Sequence, residues 1–327
     1  MDYSVIIPVY NCAGSLRECV ESFLAGLPES SEILLVDDGS TDGSGALCDA
    51  LQAQYGPVRA IHQENRGASA ARNRGLREAK GTRILFADGD DRVDSACLQT
   101  ALEAAVGAGN RLAVFGHREI YIHRQIPYRR DVFLPPGDGE SLYGWYTSET
   151  LSPLWNKIFR REIIENNGLF LREDLISYED LEFVLRYLQH CDGFFGISLP
   201  VYDHRQWEGE NRAVKRMQRV SSLWEILGPI QTALAGFAHG DRLLGRLFGI
   251  LAREKLMGAD RAAARRVCEE YAVWADTHSG EETENSRFLR LVRQGRIPAL
   301  RLYLAGLALR HRLAVEVKTF LAGRKRA

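Results

Sequence analysis

The sequence predicts an α/β protein, a doubly wound, mostly parallel sheet followed by a helical C-terminal region. Over about the first hundred residues, short continuous apolar runs alternate with segments of helical period. Such runs are typical of parallel strands covered on both faces. Three of them end in polar clusters, and after about residue 212 the pattern becomes helical, rich in Ala, Leu and Arg. Repeated β-α-β order implies right-handed crossovers. Ligands of such sheets bind beyond the carboxyl ends of the strands.

Val5 to Val9 forms the first strand and ends in Tyr10-Asn11. Leu16, Cys19, Val20, Phe23 and Leu24 then recur at helical spacing, with Ser15 and Glu18 placed as a capping box. Ile33 to Val36 is the second strand, ending in Asp37-Asp38-Gly39-Ser40, and Leu47, Ala50 and Leu51 mark the next helix. Val58 to Ile61 is the third strand. The helix from Ala68 to Ala79 is stopped by Gly81. Ile84 to Ala87 is the fourth strand, ending in Asp88-Gly89-Asp90-Asp91. Leu112 to Phe115 and Glu119 to His123 read as two further strands, and Pro135-Pro136-Gly137 as a loop. Leu181, Val184, Leu185 and Leu188 give an amphipathic helix. Val220 to Leu234, Leu243 to Met257 and Ala262 to Trp274 are helices, followed by a polar break at Gly280 to Glu284. The expected division is 1–212 and 213–327, the first part falling into halves 1–110 and 111–212.

Composition narrows the function. With 45% hydrophobic residues the 327-residue chain can bury a sizeable core, and a net charge of -1 argues against nucleic acid held by bulk charge. No run approaches the roughly 20 apolar residues of a membrane span. Met1-Asp2-Tyr3-Ser4 lacks the basic start of a secretory leader. The six cysteines (12, 19, 48, 97, 191 and 268) include no C-x-x-C pair, which suits buried thiols in a reducing cytoplasm. No G-x-G-x-x-G follows a strand, and neither G-x-x-x-x-G-K-[ST] nor H-E-x-x-H occurs. Dinucleotide oxidoreductases, P-loop NTPases and zincin proteases are thereby disfavoured.

The chemistry lies in the clusters. Three carboxylates within Asp88 to Asp91 repel one another unless a cation is present, and Mg²⁺ or Mn²⁺ takes oxygen ligands shared with substrate phosphates. Gly89 lets the turn tighten and a ligand approach; the same residues also suit a plain solvated turn. Asp38 can accept from a base or ribose, while Ser40, Thr41 or Asp42 can cap a helix. Asn65 to Asn73 opens a helix with small residues, and Arg72 there can reach a phosphate or a base. Glu179-Asp180 precedes the amphipathic helix; Asp180 suits either a general base or a capping box with Ser177. Trp155-Asn156-Lys157 and Tyr202-Asp203-His204-Arg205 each set a cation beside polar groups.

In this order and at these separations, the segments from Ser4 to about Arg205 resemble the family 2 glycosyltransferases of the GT-A fold, in particular bacterial enzymes of surface-polysaccharide assembly. The resemblance implies an inverting transfer, by single displacement, of a hexosyl or N-acetylhexosaminyl group. The donor would be a nucleotide diphosphate sugar, with UDP expected, and the acceptor a glycan or polyprenyl-linked hydroxyl. It further implies that Pro8, Val9, Tyr10, Asn11 and Asp38 hold the nucleotide with Asn65, Gly67, Arg72, Asp88, Gly89 and Lys157. Asp90, with Asp88, would ligate the metal, His204 would be a further ligand, and Asp180 beside Glu179 would be the base. On this reading 1–212 is the catalytic domain, 1–110 its nucleotide-binding half and 111–212 its acceptor half. Gln206 to Arg212 departs from the family's pattern.

From Arg287 onward there are eleven Lys or Arg and one acidic residue, Glu316. Leu300, Leu304, Leu307 and Leu313 among those cations suit a helix on an anionic membrane surface, which would make the protein peripheral on the inner face of the membrane. The same pattern suits a bundle packed on the catalytic domain or on a second subunit of a homodimer. A non-catalytic nucleotide-sugar or polysaccharide-binding protein is the alternative function. A nucleotidyltransferase would carry a glycine-rich basic loop after the first strand, where this chain has Tyr10-Asn11-Cys12.

Overall fold

A computed structural model describes residues 1–122, 128–132, 146, 150–207, 219–237, 240–258, 260–277, 290, 291, 294 and 297–299. The chain forms two compact units. Residues 1–122, 129–174 and 179–207 make the first, and 123–128, 175–178 and 208–327 the second.

The first unit is built on a nine-stranded sheet of order β3-β2-β1-β4-β8-β6-β9-β5, with β7 pairing β6. Its leading half is β1 (Tyr3–Val9), α1 (Leu16–Leu24), β2 (Glu32–Asp38), α2 (Ser44–Gln54), β3 (Val58–Gln63), α3 (Ala68–Glu78) and β4 (Arg83–Phe86). β1 to β4 are mutually parallel where they pair, with Val9 opposite Asp37 and Asp38 opposite Gln63. Val5, Ile6, Ile7, Val9, Ile33, Leu34, Leu35 and Val36 are all fully buried, which is why these strands read as unbroken apolar runs. Each such side chain contributes about 1.5–3 kcal/mol on leaving water.

The trailing half is less regular. It comprises β5 (Arg92–Val93), α4 (Ser95–Ala105), β6 (Leu112–Ile122), β7 (Tyr128–Val132), β8 (Lys157–Arg160), α5 (Arg161–Asn166), α6 (Glu179–Leu188) and β9 (Phe194–Trp207). β8 runs antiparallel to both β4 and β6, so the sheet is mixed where it leaves its parallel half. The two strands expected at 112–115 and 119–123 are one strand, β6, whose register against β9 shifts around Gly116. A bulge there breaks the alternation that would have shown its continuity. α4 and β9 have no counterpart in the sequence reading, although Leu98, Ala101, Leu102 and Ala105 lie buried at helical spacing. The Ser15–Glu18 capping box does not form: Ser15 makes no side-chain cap, and Glu18 pairs with Arg92 and Arg205.

The second unit contains α7 (Trp224–Ala233), α8 (Gly240–Gly258) and α9 (Arg261–Thr277). Phe248 on α8 meets Trp224 at 5.5 Å and Tyr271 at 5.2 Å, both edge to face. Lys255 is buried with its Nζ donating to Val220 O at 2.5 Å. No helix among the described residues is long and apolar enough to cross a membrane. The Pro135-Pro136-Gly137 loop, residues 208–212 and most of 287–327, with the basic helix expected there, lie outside the described residues.

Candidate active site

The polar clusters occupy the carboxyl ends of the parallel strands. Beyond β2, Asp38 is buried and both its oxygens are used. Oδ1 accepts from Gln63 Nε2 and the Arg66 amide, and Oδ2 from the Gly67 amide, each at 2.8 Å. Asp38 thus fixes the turn at 65–67 that starts α3. Gly39, at φ 71°, permits the close approach, since a Cβ there would stand 3.0 Å from Asn65 N. β1 ends against the turn that follows β2. Asn11 takes a left-handed backbone (φ 51°), accepts the Thr41 amide at 2.8 Å and donates its own amide to Ser40 Oγ at 3.1 Å. Val9 is buried, Pro8 half-buried, and Tyr10 is 53% exposed, an aromatic face open to a ligand.

The acidic loop after β4 is held from several sides. Ser15 Oγ donates to Gly89 O at 2.9 Å, and a Cβ at Gly89 would stand 2.8 Å from Cys12 Sγ. The Asp88 amide donates to Tyr202 Oη at 2.9 Å, and the Arg205 amide to Asp91 Oδ1 at 2.7 Å. Burial, then the charges of Asp88 and Asp90, push the Asp91 carboxyl up to about 9 against the Arg205 amide and the Tyr202 hydroxyl. Asp91 Oδ2 meets no hydrogen-bond partner among the described residues. A crowded set of carboxylates with one orphaned oxygen fits a hard divalent cation. Among the described residues, no three His, Cys, Asp or Glu side chains are grouped to hold a metal ion unaided. The donor set therefore fits a cation that completes its shell with phosphate and water, the usual habit of Mg²⁺. His204 lies against Trp155, its ring 5.1 Å away and tilted 34°, and belongs to no such group.

Arg72 joins the acidic loop to the start of α6. Its buried guanidinium donates to Asp88 Oδ1 at 2.7 Å and to Asp180 Oδ1 at 3.4 Å. Burial opposes its charge, but Asp180, Asp88 and Glu179 outweigh that and raise its pKa. Asp180 feels the converse balance. Burial, with Glu179 and Asp88, pushes it up to about 7 against the pull of Arg72, while 28% of its side chain stays exposed. A carboxylate titrating near neutrality and still reachable suits proton abstraction. Its side chain is engaged with Arg72, so the group expected on a base or phosphate instead sets the carboxylate in place.

Lys157 stands near enough to Asp180 for their charges to interact, although burial pushes its pKa well down. It is fully buried, and its Nζ donates to Thr150 O and Asn156 Oδ1 at 2.7 Å and to Pro153 O. Its Nζ is bonded to the 150–156 turn. Two further residues reach the site's framework. Tyr202 supports Asp88, and Asn73 clasps the Leu171 main chain with two bonds of 2.8 Å. Asn73 closes the run from Asn65 and Tyr202 opens the run to Arg205, so both stood inside recognised segments without a signal of their own.

A family model described as Glycosyl transferase family 2 matches residues 4–168, half of the chain, and so spans β1 through the acidic loop to α5. The chain belongs to glycosyl transferase family 2. Among its family relatives, the uncharacterized glycosyltransferase EpsJ of Bacillus subtilis is 33% identical over 211 residues, 62% of this chain and 60% of EpsJ. The cholesterol galactosyltransferase of Borreliella burgdorferi is 32% identical over 197 residues, 56% of this chain and 54% of that protein. The chain thus spans 60% or less of the length of these two relatives. Crystal structures of S. aureus TarS 1-349 share the fold: the first has a TM-score of 0.70 at 19% identity, covering 94% of this chain and 92% of that one. The same TarS fragment in complex with UDP-GlcNAc gives a TM-score of 0.69 at 18% identity, with the same coverage. The family 2 member therefore has the GT-A architecture, a mixed, mostly parallel sheet with helices.

Proposed function

We propose that this chain is an inverting glycosyltransferase that moves a sugar from a UDP-sugar to a hydroxyl of a glycan or lipid-linked acceptor in surface-polysaccharide assembly. One observation carries the reading: Arg72 ties Asp88, in the acidic loop, to Asp180, in the Glu179-Asp180 pair, so leaving-group and base functions meet at one guanidinium. The relatives' names support sugar transfer, and the TarS complex with UDP-GlcNAc supports the choice of donor class.

In this mechanism, residues 1–110 form the donor half. The strand ends at Pro8 to Asn11 and the turn fixed by Asp38, Asn65 and Gly67 shape the nucleoside cleft. Asp88 and Asp90 would hold a divalent cation, which when bound would neutralise charge on the departing diphosphate. Arg72 keeps Asp180 oriented and favours its ionised form. Asp180 then takes the proton of the acceptor hydroxyl as that oxygen attacks the anomeric carbon from the face opposite the diphosphate. One bond forms as the C–O bond to the diphosphate breaks, so the anomeric centre inverts, through a transition state of oxocarbenium character. Residues 111–212 supply the acceptor half. On this reading the basic end of the chain, residues 287–327, would meet an anionic membrane surface or pack on the catalytic domain or a second subunit.

Release of UDP from UDP-GlcNAc, UDP-glucose and UDP-galactose, with and without Mn²⁺, tests this. The expectation is metal-dependent release from at least one donor and a loss of about 100-fold or more in Asp180→Asn, the scale of general-base removal. Undiminished release in Asp180→Asn would remove Asp180 from its role. A chain that binds UDP-sugar but releases no UDP with any acceptor extract would favour the non-catalytic alternative.

A further inference from the structure

β9 reaches the acidic loop at both ends. The Asp88 amide donates to Tyr202 Oη at 2.9 Å, and three residues along the strand the Arg205 amide donates to Asp91 Oδ1 at 2.7 Å. Arg92, the first residue past the loop, pairs in register with Asp203 and bonds its carboxylate at 3.0 Å. The loop therefore owes its shape to β9 as much as to β4.

Tyr202 is the pivot of this arrangement. It is fully buried, and its ring stacks on Trp155 at 4.5 Å with 10° between the planes, which fixes where the hydroxyl stands. A phenylalanine would fill the same space, and a buried hydroxyl is costly unless it is bonded. Its geometry explains its presence: the hydroxyl accepts the Asp88 amide at the first residue of the loop.

We propose that Tyr202 is a positioning residue that holds the Asp88–Asp91 loop in the shape that receives a cation and a diphosphate. The proposal rests on the transferase reading, in which this loop meets the donor. Fully buried, Tyr202 acts through the Asp88 main chain. Loss of such supporting partners typically lowers metal affinity or activity about 10- to 100-fold.

Tyr202→Phe in the full chain keeps the ring on Trp155 and removes only the hydroxyl. Free Mn²⁺ is followed by electron paramagnetic resonance while Mn²⁺ is titrated in the presence of UDP, and hydrogen exchange is read at the Asp88 amide. The expected result is slow exchange in the wild type, faster exchange in the variant, and Mn²⁺ affinity lowered about 10- to 100-fold. Far-UV circular dichroism should be unchanged, which shows that the variant is folded and the loss local. Wild-type affinity in Tyr202→Phe, with UDP-sugar turnover intact in the wild type, overturns the positioning role alone. Absence of Mn²⁺ binding by the wild type with UDP overturns the metal-assisted reading and this proposal with it. Should the variant not fold, the wild-type amide decides: fast exchange at Asp88 overturns the proposal and slow exchange supports it.

Discussion

His62 joins the end of β3 to two carboxylates, with Nδ1 at 3.0 Å from Asp37 Oδ2 and Nε2 at 3.0 Å from Asp49 Oδ1. Asp37, then Asp49, raises its pKa in the folded chain. The unfolded imidazole titrates near about 6.5. The folded value is the higher, so this stabilisation is fully present below that pH and is lost as pH rises through the folded-state pKa. With 46% of the side chain exposed, screening by water keeps the contribution below about 1 kcal/mol. Urea midpoints measured from pH 6 to 9 should fall in the wild type across this window and stay flatter in His62→Gln; parallel curves would contradict the account. At the same scale, the acidic residues were legible because a strand end carrying several carboxylates has few purely structural explanations. The partners of those residues were not. Arg72 reads as a cation for a ligand, and only coordinates show it held between Asp88 and Asp180. Ser15 reads as a helix cap, yet its hydroxyl is spent on Gly89 O.

α3 is the element on which the site is assembled. Its start is fixed by Asp38, Arg72 on its next turn holds Asp88 and Asp180, and Asn73 grips Leu171. Its approach to β1 depends on Gly75, where a Cβ would collide with Ile6 Cγ2. Alanine would gain about 1 kcal/mol of helix propensity, but overpacking a buried, β-branched neighbour costs about 1–3 kcal/mol. Gly75→Ala should therefore lower stability by up to about 2 kcal/mol net of these terms and weaken UDP binding by shifting α3. A stabilised variant in urea titration would show that the sheet yields more readily than this packing implies. Element by element, β1 to β4 and α1 to α3 could be read because continuous apolar runs and helical periodicity each follow from burial. β9 could not: it runs through Pro200 and the charged Asp203 and Arg205, and only β6 and β5 on its flanks make that sequence a strand. α4 was recoverable, since Asp94 caps it and its apolar positions keep helical spacing.

Across the whole molecule, the polar clusters expected after the strands lie at the carboxyl edge of the parallel half of the sheet, and the reason is topological. Parallel strands present their carboxyl ends on one side of the sheet, so clusters far apart in the chain meet there. The connection from Asp38 through α3 to Asp88 and Asp180 is the physical form of that rule. The antiparallel insertion of β8 between β4 and β6 was beyond reach of periodicity, because strand direction leaves no mark in residue order. The most direct measurement is a crystal structure of this chain grown with UDP and Mn²⁺. The account predicts the diphosphate and one Mn²⁺ at Asp88 and Asp90, the uracil between Tyr10 and the Asp38 turn, and the Asp180 carboxylate facing the vacant sugar position. UDP bound away from these strand ends, or Mn²⁺ bound without either Asp88 or Asp90, would contradict it.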